Sequence, residues 1–192
     1  MNTISVMIVG VGGQGTLLAS KVLGQALVSM DYDVKVSEVH GMSQRGGSVV
    51  TYVRDGDEVH SPIVDLGQAD YMLAFEPLEA ARYLPYLKKD GVIITNTRET
   101  MPMPVITGAA AYPENIVEKL KARANVVALD AMVLALEAGN AKAVNMVLMG
   151  VLAARMDLPE EVWQAALTKQ VPAKFLELNR RAFALGQAQK GV

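Results

Sequence analysis

The strongest constraint on the fold lies between Ile4 and Met30. Ile4 to Val9 is an unbroken apolar run that leads into Gly10-Val11-Gly12-Gly13-Gln14-Gly15. Leu18, Val22 and Ala26 then follow at helical spacing, with Leu23, Leu27 and Met30 beside them. A short apolar run bounded by glycine reads as a strand buried on both faces. The broad apolar stripe after it reads as a helix packed on a sheet and ending near Asp31. Strand, glycine turn and helix in that order open an α/β sheet, with the helix amides facing the turn. Gly10, Gly12 and Gly15 satisfy the G-x-G-x-x-G spacing, and Glu38 stands about 20 residues on, where a ribose-holding acid is expected. Two readings stay open: the loop cradles a dinucleotide phosphate, or its glycines let the helix pack close to the strand. Gln14 is either a contact for a phosphate or partner, or an exposed polar turn residue.

The rest of the chain continues the alternation. Val34 to Val39 predicts a second strand, and Ser48 to Arg54 and Glu58 to Ser61 flank Asp55-Gly56-Asp57 in the manner of a β-hairpin. Tyr71 to Phe75 and Val92 to Asn96 predict strands around a helix that starts at Pro77 and ends at Asp90-Gly91. A weaker strand at Val105-Ile106, a helix beginning near Pro113 and a strand at Val126 to Leu129 follow. Beyond Asp130 the pattern is helical only. Ala141 to Arg155 is apolar almost all round, Pro159 opens another helix, and Pro172 opens a last one with Phe175, Leu178, Ala182 and Leu185 on its apolar face. These elements predict a three-layer α/β/α sandwich with a mostly parallel, mixed sheet and a helical C-terminal segment. No linker or repeat interrupts residues 1–192, so a single domain is expected.

Charge and composition narrow the function classes. A net charge of -2 and the lack of a basic run argue against a nucleic-acid surface; Lys119 to Arg123 reads as a solvated helix face. Val144 to Ala154 falls short of the ~20 residues that cross a bilayer, and a buried helix accounts for it. The same segment, with the glycine-rich loops, exceeds what a lone monomer needs to bury and predicts a partner chain. The chain has no cysteine, which excludes disulfides, catalytic thiols, thiolate-held iron–sulfur clusters and cysteine-based zinc sites within it. No metal site is expected. Met-Asn-Thr-Ile-Ser at the start lacks a basic n-region, and a cytoplasmic protein is expected.

His40-Gly41-Met42-Ser43-Gln44-Arg45-Gly46-Gly47 gathers an imidazole, a hydroxyl, an amide and a guanidinium on a loop at the carboxyl end of a strand, where open α/β sheets bind ligands. Arg45 suits a phosphate or carboxylate, and His40 is of the type that titrates near neutrality. Equally, His40 reads as a satisfied loop donor and Arg45 as a surface ion-pair partner. His60, beside Ser61-Pro62, is read as carrying no chemistry.

The residues Gly12-Gly13-Gln14-Gly15-Thr16-Leu17-Leu18-Ala19-Ser20-Lys21 and Glu38-Val39-His40-Gly41-Met42-Ser43-Gln44-Arg45-Gly46-Gly47-Ser48-Val49 resemble the gamma-type domain of 2-oxoacid:ferredoxin oxidoreductases. Leu73 to Ala80, Tyr83 to Leu87 and Val171 to Asn179 are similar to the beta subunits of indolepyruvate:ferredoxin oxidoreductases, so the resemblance spans essentially the whole chain. It implies a small subunit without turnover of its own and without catalytic residues. The large (alpha) partner subunit would carry thiamine diphosphate and iron–sulfur clusters, coenzyme A would be the co-substrate, and ferredoxin would be reached through the complex. The overall reaction would turn an aryl pyruvate and coenzyme A into aryl acetyl-CoA. The zero cysteine count agrees with that division, as does the lack of a thiamine-pyrophosphate motif, because Asp55-Gly56-Asp57 has no downstream context for one. A hetero-oligomer is expected, or a homodimer when the chain is isolated. The residues facing ligand or partner would be His40, Ser43, Gln44, Arg45, Gly46 and Gly47, with the glycine loop of Gly10, Gly12, Gly13, Gln14 and Gly15 beside them. Three alternatives accompany this reading: a subunit acting on pyruvate, 2-oxoglutarate or 2-oxoisovalerate; an NAD-binding Rossmann-like dehydrogenase; and a non-enzymatic nucleotide-binding or scaffolding module. The absence of a separate substrate domain weighs against the dehydrogenase.

Overall fold

The structure is a computed structural model that describes residues 3–40 and 46–189, with His40 described by its backbone. Its centre is a six-stranded sheet made from β1 (Ile4–Val11), β2 (Asp33–His40), β3 (Ser48–Gly56), β4 (Ala69–Ala74), β5 (Leu87–Asn96) and β6 (Asn125–Leu129), in the order β2-β3-β1-β4-β5-β6. β1, β4, β5 and β6 run parallel, whereas β3 pairs antiparallel with both β1 and β2. The sheet is mixed and mostly parallel, as the sequence pattern predicts.

Period-two alternation divides the buried strand residues between two cores. Val6, Ile8, Leu73 and Ile94 face one layer, while Met7, Val9, Met72 and Ile93 face the other. The first layer contains α1 (Thr16–Val28), α5 (Ala131–Ala138), α6 (Val144–Ala153), α7 (Glu160–Gln170) and α8 (Ala173–Gln187). The second contains α2 (Pro77–Tyr83) and α4 (Ile116–Lys121). Strands buried on both faces explain why they read as continuous apolar runs.

Five expectations are corrected. Asp55-Gly56-Asp57 does not turn a hairpin: β3 runs through Asp55 and Gly56, and no strand follows at 58–61. A strand has two hydrogen-bonding edges, and those of β3 are taken by β1 and β2. Val59 instead donates its N–H to Asp33 Oδ2 at 2.9 Å. The helix from Pro77 ends at Tyr83, not at Asp90-Gly91, and a 3-10 turn at Leu84–Tyr86 leads into β5. Gly91 lies inside β5, where a Cβ would stand 2.8 Å from the Ala69 carbonyl oxygen, so the glycine serves a close approach and not a helix end. Val105-Ile106 is not a strand but the end of a short helix, α3 (Met103–Ile106), where Pro102 and Pro104 lack the N–H groups a ladder requires. The helix expected near Pro113 begins at Ile116, after Asn115 at φ 55°.

The last correction concerns surplus apolar surface. Asn145 to Ala153 is buried inside this chain, between the sheet and α8, and so offers no face to a partner. α6 and α8 meet at Gly150 and Gly186, where an added Cβ on either glycine would stand 2.0 Å from a carbonyl oxygen of the other helix. That close crossing lets α6 be apolar all round. The buried residues of α8 are Asn179, Ala182, Phe183 and Gly186. Leu178 and Leu185 pack beside them, but Phe175 is 44% exposed, with Lys174 Nζ 4.8 Å over its ring. Among the described residues no helix is long and apolar enough to cross a membrane.

Candidate functional site

The carboxyl edge of the parallel strands carries a cleft of about 570 Å³. Its floor is the turn between β1 and α1. Gly13 and Gly15 hold φ of 100° and 87°, the left-handed region that favours glycine. Gly15 also meets α6, since a Cβ there would lie 2.7 Å from Asn145 Nδ2, and Asn145 donates to the Gly15 carbonyl at 3.3 Å. Gly10 lies under Gln14 and Phe75 in the same way. Close approach thus requires glycine at Gly10 and Gly15, whereas at Gly13 the requirement is the left-handed backbone alone. Gln14 is turned into the structure: Oε1 accepts from the Val11 N–H at 2.8 Å, and Nε2 donates to Thr100 Oγ1 at 3.4 Å.

The walls come from residues distant in sequence. Asn96 ends β5 and Arg98 and Thr100 follow it, Met132 lies in the first turn of α5, and Lys142 precedes α6. Asp130 caps α5 by accepting from the Met132 and Val133 N–H groups at 3.0 and 3.3 Å, and Asn96 Oδ1 accepts from the Ala131 N–H at 3.1 Å. Arg98 and Lys142 are exposed on the cleft wall, and among the described residues neither has an ion-pair partner. Two cations without an ion pair, on the same cleft as the glycine turn that opens α1, favour an anionic ligand.

The two glycine-rich stretches are joined. Gly12 N–H donates to the Gly47 carbonyl at 2.9 Å, and Gly46 N–H donates to the Gly12 carbonyl at 3.5 Å. His40 pairs through its backbone with Val49 in the β2–β3 ladder. Ser43, Gln44 and Arg45 lie outside the described residues, as do Gly41 and Met42. His60 is exposed, 3.9 Å from Glu58. Glu38 does not serve the glycine loop. β3 lies between β1 and β2, so Glu38 stands one strand further out than in a dinucleotide-binding unit, and it accepts from Ser20 Oγ at 3.1 Å. Among the described residues no group of acids and histidines is placed to hold a metal.

Behind the cleft lies a pair of carboxylates that motif reading passes over. Glu76, 1% exposed, caps α2, and Glu79, 4% exposed, stands one turn later. Glu76 accepts from the Glu79 N–H at 3.0 Å, the Thr100 N–H at 3.4 Å and the Tyr112 hydroxyl. Glu79 accepts from Ser48 Oγ and, at 3.3 Å, from Arg82 Nε. Burial pushes the Glu76 carboxyl above its ordinary range, against the pull of its hydrogen-bond donors. Asn96, Arg98 and Glu76 were accessible from sequence by one rule: residues just after parallel strands line the carboxyl edge. Lys142 and Tyr112 carried no such signal.

Comparison with known proteins adds an independent line. The family model for pyruvate ferredoxin/flavodoxin oxidoreductase matches residues 5–189. The sequence is 45% identical to the indolepyruvate oxidoreductase subunit IorB of Thermococcus kodakarensis over 193 aligned residues, which cover 97% of this chain and 95% of that protein. Among solved structures it is similar to the pyruvate oxidoreductase subunit PORC of Thermotoga maritima, with TM-score 0.76, 20% identity and coverage of 98% and 97% of the two chains. It is also similar to the 2-oxoglutarate:ferredoxin oxidoreductase of Magnetococcus marinus with 2-oxoglutarate, coenzyme A and succinyl-CoA bound, with TM-score 0.75, 18% identity, and coverage of 98% of this chain and 31% of that one.

Proposed function

The chain belongs to the pyruvate ferredoxin/flavodoxin oxidoreductase family, and we propose that it works as the small subunit of an indolepyruvate oxidoreductase. The observation that carries this reading is its full-length relatedness to indolepyruvate oxidoreductase subunits at well above 30% identity. In this reading residues 1–192 form one domain of a cytoplasmic hetero-oligomer. The large partner subunit holds thiamine diphosphate and the iron–sulfur clusters, and ferredoxin is the acceptor. This chain has no cysteine and so supplies no thiolate ligand to a cluster. Its part is to bind and orient.

The co-substrate assigned to the cleft is coenzyme A, whose phosphates match the charge of Arg98 and Lys142 and the amides of Gly13 and Gly15. In this reading His40, Ser43, Gln44, Arg45, Gly46 and Gly47 face the ligand or the large subunit, and of these Gly46 and Gly47 are hydrogen-bonded to Gly12 at the cleft floor. The similarity to an oxidoreductase with coenzyme A bound is in keeping with this assignment.

The test is indolepyruvate- and coenzyme A-dependent viologen reduction by the chain reconstituted with its large subunit. Indolepyruvate is expected to exceed pyruvate, 2-oxoglutarate and 2-oxoisovalerate in kcat/KM. A preference for one of those three would reassign the substrate within the family, and no coenzyme A dependence would overturn the assignment of the cleft. Removing either cleft cation, Arg98→Ala or Lys142→Ala, is expected to raise the KM for coenzyme A roughly tenfold, the value of one charge-assisted contact. Arg45→Ala is expected to lower activity by about ten- to a hundredfold with the melting temperature kept. Wild-type activity in that variant would leave Arg45 no part in the site.

A further inference from the structure

Glu76 and Glu79 are hard to explain as stability elements. Burying two carboxylates three residues apart is costly, and a serine, threonine or asparagine would cap α2 with less desolvation. What distinguishes a carboxylate is its capacity to accept several donors at once from different directions. Here the donors come from separate segments. Thr100 and Tyr112 stand near the two ends of the stretch from β5 to α4, Ser48 is the first residue of β3, and Glu79 N–H belongs to α2 itself. Thr100 in turn accepts from Gln14 Nε2, and Gln14 Oε1 holds the Val11 N–H. A continuous chain of hydrogen bonds thus runs from the glycine loop through Thr100 to Glu76, and along the first turn of α2 to Glu79 and Ser48. Ser48 directly follows Gly46 and Gly47, which are bonded back to Gly12. The circuit closes on the glycine loop from both sides.

We propose that Glu76 and Glu79 are positioning residues that brace the glycine loop, the Arg98–Thr100 wall and the start of β3 into the shape that receives the anionic co-substrate. The identity of that co-substrate rests on the function proposed above, whereas the bracing does not. The two carboxylates are not among the residues that line the cleft; they act through Thr100, Gln14 and Ser48. Thr100 lines the cleft while its N–H is held by Glu76, so the register of Arg98, two residues earlier, is set from behind the cleft.

The test uses Tyr112→Phe and Ser48→Ala, each of which removes one donor and leaves both carboxylates in place, together with the conservative Ser48→Thr. Hydrogen exchange is measured on the full chain alone, and kinetics on the reconstituted complex. Amides in 10–15 and 97–101 are expected to exchange about tenfold faster in Tyr112→Phe and Ser48→Ala, with α6 amides unchanged. The KM for coenzyme A is expected to rise roughly tenfold, with kcat and the KM for indolepyruvate within about twofold of wild type. Ser48→Thr, which keeps the hydroxyl, is expected to restore both. Unchanged exchange in 10–15 and 97–101 overturns the proposal. So does uniform loosening of the whole chain with kcat and KM affected alike, which marks a purely structural role. If the wild-type complex shows no dependence on coenzyme A, the functional reading fails while the exchange data still decide the bracing.

Discussion

Asp55 illustrates how a residue chosen as a turn signal acquires a different physical role in the sheet. It lies in β3 at 1% exposure, and its Oδ1 has no hydrogen-bond partner. Burial, helped by the nearby Asp70 carboxylate, raises its pKa to about 6. The folded state therefore holds this proton more tightly than the unfolded chain, where the group titrates near its ordinary value. The favourable contribution is complete below the unfolded pKa and is lost as pH rises through about 6. Asp55→Asn is expected to stabilise the protein at pH 7 by on the order of 1–3 kcal/mol and to flatten stability between roughly pH 4 and 6. Melting curves of both proteins across that interval check it, and an unchanged difference between pH 4 and 7 would show that Asp55 is not the titrating group.

The elements differ in how they use glycine, and the helices give a paired prediction. In α6, a methyl at Gly150 would meet the Phe183 carbonyl oxygen at 2.0 Å and the Gln187 nitrogen at 2.9 Å. Both contacts are backbone of α8 and cannot rotate away. Gly150→Ala is expected to cost about 3 kcal/mol or more by forcing the helices apart. Gly24 in α1 has ordinary geometry, and a methyl there would touch only Val36 Cγ2 at 3.6 Å. Gly24→Ala is expected to stabilise by about 0.5–1 kcal/mol through helix propensity and reduced freedom of the unfolded chain. Urea denaturation of the two variants measures both signs together, and similar effects at the two sites would contradict the crossing of α6 and α8. Trp163, the single tryptophan, packs on Phe183 at 5.7 Å between ring centroids and reports that region by fluorescence.

For the whole molecule, the proposed function requires a partner chain. Co-expression with the large subunit is expected to give one peak in size exclusion that contains iron, although this chain contributes no thiolate. Elution of this chain apart from iron at moderate salt would count against the subunit reading. Apolar side chains remain exposed at Met101, Met103 and Ile106, and at Val133 and Leu136 on α5. Together with Leu17, Val28, Val36, Val39, Ile63, Leu66 and Phe175 they, and not the buried α6, are the large apolar side chains left exposed among the described residues.

The amino-acid sequence by itself determined the fold class, because Ile4 to Val9, Tyr71 to Phe75 and Val92 to Asn96 are apolar runs whose two-faced burial needs helices on both sides of a sheet. The helix starts at Pro77, Pro159 and Pro172 were equally legible, since proline lacks the N–H that a first helical turn leaves unpaired. The two glycine-rich stretches were visible from spacing and residue type. Only the tertiary structure decided which strands are neighbours, and so placed β3 between β1 and β2, turned an apparent hairpin into a central strand and moved Glu38 away from the glycine loop. It also decided which distant residues share the cleft. Arg98, Thr100 and Lys142 line it, while Glu76, Glu79, Tyr112 and Ser48 are hydrogen-bonded together behind it; Arg98, Thr100 and Glu76 arrive there because parallel strands deliver their following residues to one edge of the sheet. Local patterning records how a segment is buried; pairing and crossing depend on contacts between segments that no single window contains.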